Sequence, residues 1–470
     1  MKDYYKLNIL EIQELFSEEK LTCLELTNYY LKRIEQYNHL TNSISQLNPD
    51  AVSIAMKLDQ ELKSGKSRGN LHGIPVLIKD NINTNDKMNT TAGSIVLKDF
   101  QASYDAFIVK NLRKQGAVIL GKTNLSEFAN FVSSTSKNGF SALGGQVINP
   151  YNKNLDVGGS SSGSAAAIAT SLAQVAVGTE TLGSILSPCL RNSLLGVKPT
   201  VGWVSRTGII PISHSQDVAG PIARNVIDAS ILLNGMTGFD VNDVTTHNEK
   251  SNEKISLDSI LNTKSLKGTK VGVIQGYLRG QVTDEVEKIV QSTISKIKEL
   301  GSDICDVETK KPNYDTSIDV MFYEFPRDLE DYFLKDENCP VKSLKEIIDF
   351  NNKDQENRVP YGQDILQKCI DLNLSENKYL DTRKKDLELA KSLTDCLDDS
   401  NLDALLYIGY TGTARGTKAG LPSVIIPCGY LADKSPVSIT LMSKKFDEEK
   451  LLAIAYALEQ SLNVRKEPNF

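Results

Sequence analysis

Residues 158–164 read GGSSSGS, and positions 165–184 continue AAAIATSLAQVAVGTETLGS. Three glycines and four serines in seven positions supply no apolar volume for a core. The stretch that follows, SAAAIATSLA (164–173), is so rich in small residues that a helix built from it can approach a sheet or another helix closely. Next comes QVAVGTE (174–180), short, apolar and β-branched, the pattern of a buried strand. A flexible glycine–serine linker would not lead straight into a helix and a strand. The segment therefore reads as loop, helix, strand, loop, with Ser160–Ser162 in the first loop and Ser184 in the second.

Further runs of the same kind place this segment in an α/β fold. IPVLIK (74–79), GAVILGK (116–122) and LLGVKP (194–199) are short apolar runs bounded by Gly, Pro or polar residues, with helical stretches between them. Before them, ILEIQELF, CLELTNYYLKRIEQY and AVSIAMKLDQELK space apolar residues three and four apart, which predicts helices across 8–64. Beyond about 240 the chain becomes charged, and apart from TKVGVIQGY (269–277) it offers few strand candidates before 400. Strand patterns return in LDALLYI (402–408), PSVIIPCGY (422–430) and VSITLM (437–442), and EEKLLAIAYALEQSL closes the chain as an amphipathic helix. The simplest topology is one sheet whose last strands return after a helical insertion. We expect a single domain over 1–470: N-terminal helices to 65, a core at 66–240, a mainly helical variable region at 241–400, and a return to the sheet at 401–470.

The totals narrow the function. A net charge of −6 argues against bulk attraction to nucleic acid or to an anionic membrane. No window approaches the roughly 18 apolar residues of a membrane span, and the mixed-charge N-terminus lacks a signal peptide's apolar stretch. Seven scattered cysteines with no C-x-x-C fit reduced thiols, so the expected location is cytoplasmic. The chain has only four histidines, at 39, 72, 214 and 247.

Two motifs are decoys. GAVILGKT (116–123) satisfies the phosphate-loop pattern, but Ala, Val, Ile and Leu between its glycines favour a buried strand over a cradle of inward-pointing amides. GSSSG (159–163) matches a nucleophile elbow centred on Ser161, yet NPYNKNLDV before it is no apolar strand. Among the histidines only His214 lies in a suitable place downstream, and a lone loop histidine is more often a hydrogen-bonding structural residue. A lysine can also activate a serine when burial keeps its amine neutral. Lys79, at the end of GIPVLIKDN, is the candidate, although a lysine at a strand end often simply exits to solvent.

The blocks HGIPVLIKDNI, GAVILGKTNLSEFANF, GGSSSGSAAAIA, VGTETLGSILSP and GVKPTVGWVSRTGIIPISHSQDVAGPIARNVIDA resemble, in order and spacing, the amidase signature family. The likeness extends to the N-terminal helices and the C-terminal strands. The forms GTETLGS and SRTGIIPISHSQD, with PYGQDIL at 360–366, are most similar to the peptide-amidase-like branch. The resemblance implies an α/β/α sandwich with a large mixed central sheet surrounded by helices. It also implies a Ser–cis-Ser–Lys triad of nucleophile Ser184, bridging Ser160 and base Lys79, with Ser184 lying 24 positions after Ser160 as in the family. A cis peptide between Gly159 and Ser160, an oxyanion hole from the backbone of Thr181, Leu182, Gly183 and Ser184, and a substrate contact at Asn130 are implied in the same way.

The implied reaction is hydrolysis of a linear amide, a small amide or a peptide C-terminal amide, to carboxylate and ammonia through an acyl-enzyme. No metal or organic cofactor is implied, and the expected assembly is a monomer or homodimer. Departures from the family pattern are Leu182, where Gly is common, and Leu186, where Arg is common. Leu182 contributes its amide whatever its side chain. Cys189, five residues past Ser184, reads as a buried, inert thiol. Two alternatives stand beside this reading: a glutamine-hydrolysing amidotransferase A-type subunit, which would copurify with partners, and a catalytically silent binding protein on the same fold.

Overall fold

The computed structural model describes residues 3–274, 282–308, 318–372, 374–410 and 412–469. Its strands are β1 (Ile44–Leu47), β2 (Pro75–Lys79), β3 (Val118–Thr123), β4 (Phe140–Ser141), β5 (Gly145–Gln146), β6 (Val175–Glu180), β7 (Leu195–Lys198), β8 (Val218–Ala223), β9 (Lys270–Ile274), β10 (Asp303–Val307), β11 (Ala404–Ile408), β12 (Ser423–Tyr430) and β13 (Pro436–Met442). Eleven of them form one mixed sheet in the order β1-β3-β2-β6-β8-β7-β12-β13-β11-β9-β10, and β4 and β5 make a separate small hairpin. β2 runs parallel to both β3 and β6, whereas β8 is antiparallel to β6 and β7. Helices cover the sheet, giving the expected α/β architecture with a mixed central sheet.

β2, β3 and β6 are buried along their whole length, which explains why they read as unbroken apolar runs. The GAVILGKT segment forms β3, not a phosphate loop, and Lys122 turns inward, its Nζ lying 2.6 Å from the Ile82 carbonyl and 3.0 Å from Thr90 Oγ1. The N-terminal helices begin at reciprocal caps: Asn8 with Glu11, and Thr22 with Glu25.

Three strands differ from the sequence reading. β8 (VAGPIA) contains Gly220 and Pro221, residues that argue against a central strand, yet it lies between β6 and β7. β1 is short and forms an edge. β10 (DICDV) carries acidic residues because it is the opposite edge, where half the side chains meet water. The 241–400 stretch is thus not helical alone: it adds β9 and β10 to the sheet, while residues 275–277 of the TKVGVIQGY run lie outside the described residues.

That stretch docks through an aromatic cluster. Phe322 and Phe325, on the helix Asp319–Leu334, pack against Phe131, with Phe131 and Phe325 edge to face at 5.0 Å between centroids. Such a pair adds roughly 0.5–1.5 kcal/mol beyond the burial of its area.

Gly163 explains part of the opening run. The helix Ser162–Ala169 presses onto its neighbours so closely that a Cβ at Gly163 would stand 2.2 Å from the Asn124 carbonyl oxygen and 2.4 Å from that of Ser43. Both obstacles are backbone and cannot rotate aside. Gly163→Ala is therefore expected to lose stability at the upper end of the roughly 1–3 kcal/mol typical of overpacking. A urea midpoint unchanged from the parent would show that the backbone yields freely.

Candidate active site

The sheet order puts the end of β2 beside the end of β6, so Lys79 leaves its strand next to Thr179. In a parallel segment of this kind, ligands bind beyond the carboxyl ends of the strands. Lys79 does not exit to solvent. It is fully buried, with Nζ 2.8 Å from Ser160 Oγ, 2.8 Å from Thr179 Oγ1 and 3.4 Å from the Thr179 carbonyl. Burial pushes its pKa down to about 7, against the opposing pull of Asp217 and Glu180. Asn81 Nδ2 donates to the same Thr179 hydroxyl at 3.1 Å.

The serines of the opening run divide cleanly. Ser161 bridges to β6, donating to the Thr179 carbonyl at 3.1 Å and accepting from its N–H at 3.2 Å. Ser162 Oγ donates to the Gly158 carbonyl at 2.6 Å, and Ser164 Oγ to the Val177 carbonyl at 3.1 Å. These three hydroxyls bond to backbone, Ser164 Oγ also meeting Thr123 Oγ1 at 2.7 Å, and Ser160 is the one that meets the lysine. The Gly159–Ser160 peptide is cis, as the resemblance implied, and the Ser160 carbonyl accepts from Ser126 N–H at 3.1 Å.

Ser184 reaches the run through its backbone: its carbonyl accepts from Ser161 N–H at 3.2 Å, and the residue is 8% exposed. Among the described residues no hydrogen bond joins the Ser160 and Ser184 hydroxyls. The turn before Ser184 leaves its amides without partners among the described residues: none of the N–H groups of Thr181, Leu182, Gly183 and Ser184 donates a hydrogen bond, whereas the next two, of Ile185 and Leu186, go to Glu180 Oε2 at 2.7 and 3.0 Å. Glu180 thereby anchors the start of the helix Leu186–Arg191 from inside the fold and leaves the preceding amides unpaired. Gly183 takes φ +86°, a left-handed conformation suited to glycine.

The departures are accommodated. Leu182 is only partly buried, and its backbone belongs to the turn. Leu186 is fully buried in the main apolar cluster, where an arginine would be costly. Cys189 is fully buried, and burial holds its thiol well above the usual range, so it is not poised as a nucleophile.

Three polar residues here lie inside the quoted blocks, yet the sequence reading gave none of them a role. Thr179 belongs to an apolar strand, Glu180 looks like a strand-end acid, and Asp217 is one acid in a loop. Asp217 nevertheless accepts from Ile212 and Ser213 N–H at 2.8 and 2.9 Å through Oδ2, and from the Thr181 hydroxyl through Oδ1. Burial raises its pKa to about 6. Only its hydrogen bond to Thr181, from another segment, reveals it, and sequence distance hides that contact.

A cavity of about 180 Å³ opens onto this end of the sheet, bounded by Thr179, Thr181 and Asp217 on one side and by Ile210, Ile212 and Tyr332 on another. Asn130 lies in a left-handed stretch (φ +70°) with its Oδ1 buried and unpartnered. It touches neither serine nor Lys79 by hydrogen bond, and its neighbour Ala129 is the residue that borders the cavity. At the cavity rim, His214 Nδ1 lies 2.9 Å from Asp328 Oδ1, as a hydrogen-bonding loop histidine does. His214, Glu324 and Asp328 are close enough to ligate a cation together, but serine, tyrosine and histidine donors already engage the two carboxylates. Among the described residues no helix is long and apolar enough to cross a membrane.

Comparison with known proteins accords with this geometry. The family model described as Amidase matches residues 25–452. A probable amidase of Arabidopsis thaliana is 36% identical, over 98% of this chain and 91% of the relative. The solved native peptide amidase of Stenotrophomonas maltophilia superposes with a TM-score of 0.94 at 36% identity, covering 100% of this chain and 99% of its own. The A-type subunit of the glutamyl-tRNA(Gln) amidotransferase of Thermoanaerobacter pseudethanolicus is 31% identical, over 99% of this chain and 98% of the relative. Matched along almost its whole length, the chain belongs to the amidase signature family.

Proposed function

We propose that this amidase hydrolyses a peptide C-terminal amide or a similar small linear amide, with Ser184 as nucleophile, Ser160 as bridge and Lys79 as base. The observation that carries the reading is a buried lysine, shifted to about 7, in contact with Ser160 beside a turn of four unpaired amides. Neutral Lys79 takes the Ser160 proton, and Ser160 takes that of Ser184 as Ser184 Oγ attacks the carbonyl carbon. The carbonyl π pair moves to oxygen, where the amides of 181–184 meet the new charge; losing one such donor typically costs about 3–4 kcal/mol of barrier. Collapse breaks the C–N bond while Ser160 gives a proton to nitrogen, which leaves as ammonia, and Lys79 returns its proton to Ser160, so the amine is neutral again. Water then attacks the ester by the same relay, releasing carboxylate and restoring Ser184.

The peptide-amide preference is supported by the likeness to the solved peptide amidase, and the reading treats 1–470 as one catalytic domain acting without a cofactor. The amidotransferase relatives favour a second reading, in which the ammonia comes from glutamine. Both are tested by following ammonia release from an N-acylated dipeptide amide and from free glutamine, alongside fluorophosphonate labelling. The expected result is Ser184-dependent release from the peptide amide and a single adduct on Ser184. Release from glutamine alone would favour the second reading. A folded protein with no adduct and no release would favour the silent binding protein.

A further inference from the structure

We propose that Glu324, which contacts neither the triad residues nor the turn by hydrogen bond, is a positioning residue that aims the 181–184 turn; the proposal rests on the reading of that turn as the oxyanion hole. Glu324 belongs to the helix Asp319–Leu334, in the stretch outside the quoted motif blocks, and is fully buried. Its carboxylate gathers donors from two segments. Ser213 Oγ, Ser215 Oγ (3.0 Å) and Ser215 N–H (3.3 Å) reach Oε2, and Tyr379 OH, from the helix Glu376–Asp399, reaches Oε1 at 2.7 Å. One turn later on the same helix, Asp328 accepts from His214 N–H at 2.6 Å. Residues 213, 214 and 215 are thus each tied to that helix.

The tie continues inward. Ser213 N–H and Ile212 N–H donate to Asp217 Oδ2, and Asp217 Oδ1 accepts from the hydroxyl of Thr181, the first residue of the turn. A continuous set of hydrogen bonds therefore runs from Glu324 through Ser213 and Asp217 to Thr181. Backbone donors stabilise a transition state only if they point at the developing charge before it forms. A misplacement of about 1 Å can cost roughly 100-fold even when its origin is remote. Removing the anchor should lower the rate of the covalent step and leave ground-state affinity unchanged.

The test measures phosphonylation of Ser184 by a fluorophosphonate, separating the maximal rate from the half-saturating concentration. Parent, Glu324→Ala, Glu324→Gln and Phe333→Leu are compared with their melting temperatures. Phe333 is fully buried on the same helix in the apolar cluster and controls for helix docking alone. We expect Glu324→Ala to lower the maximal rate about 10–100-fold with half-saturation within twofold. Glu324→Gln, which keeps one acceptor oxygen, should recover most of the loss, and Phe333→Leu should lower the melting temperature without changing the rate. If Glu324→Ala does not fold, Tyr379→Phe and Ser213→Ala each remove one donor, and the same rate loss is expected from Ser213→Ala. An unchanged maximal rate in folded variants, or a change in half-saturation alone, overturns the proposal and leaves the triad reading intact. Absence of a Ser184 adduct in the parent overturns both.

Discussion

Replacing Ser184 with alanine is expected to lower amide turnover by about 10⁴–10⁶-fold while leaving the fold and substrate affinity in place. On the proposed reading the size follows from what would remain: the amides of 181–184, which donate no hydrogen bond among the described residues, would still polarise a carbonyl, but no covalent path would be open, and such residual catalysis is modest. Stability should barely change, because Ser184 is linked to its surroundings through its backbone carbonyl, which alanine retains. The measurement is ammonia release per folded molecule, with mass spectrometry after fluorophosphonate treatment. Loss of activity below tenfold, or an adduct found on Ser160 in the parent, would place the nucleophile elsewhere.

Lys79→Met is expected to lower kcat/KM about 10²–10⁴-fold, the usual contribution of a positioned base. It should also erase the acid limb of the pH profile. With the Lys79 pKa at about 7, the parent holds the amine half neutral near that pH, so kcat/KM should fall tenfold per unit below about 7 and level off above it. The linkage runs the other way for stability. Folding lowers this lysine from its ordinary 10.5, so between about 7 and 10.5 the unfolded chain binds the proton that the folded chain has released. Stability therefore rises with pH across that window, and at neutral pH the buried amine is a cost to folding. Lys79→Met should raise the melting temperature at pH 7 and flatten its rise towards pH 10 relative to the parent. A variant both inactive and less stable would show that the lysine is structural.

The same contrast explains which strands the sequence shows. β2, β3 and β6 are legible because a parallel strand covered on both faces must be apolar throughout. β8 is hidden because its Gly220 answers to crowding: a Cβ there would stand 2.0 Å from the Val197 carbonyl oxygen. β10 is hidden because an edge strand need not be apolar.

The site divides in the same way. By itself, the sequence determined the α/β alternation, the small-residue run and the candidate Lys79, because chain geometry and side-chain chemistry are local properties, while Ser160 and Ser184 came from the resemblance of its motif blocks to a known family. Only the tertiary structure decided that Lys79 is buried rather than solvated, that Ser161, Ser162 and Ser164 bond to backbone, and that Glu180 and Asp217 hold the two ends of the 181–184 turn. Those outcomes depend on burial and on hydrogen bonds between residues far apart in the chain. Local pattern carries no record of either, since both arise only when β2 is laid beside β6 and the 212–217 loop folds back over their ends.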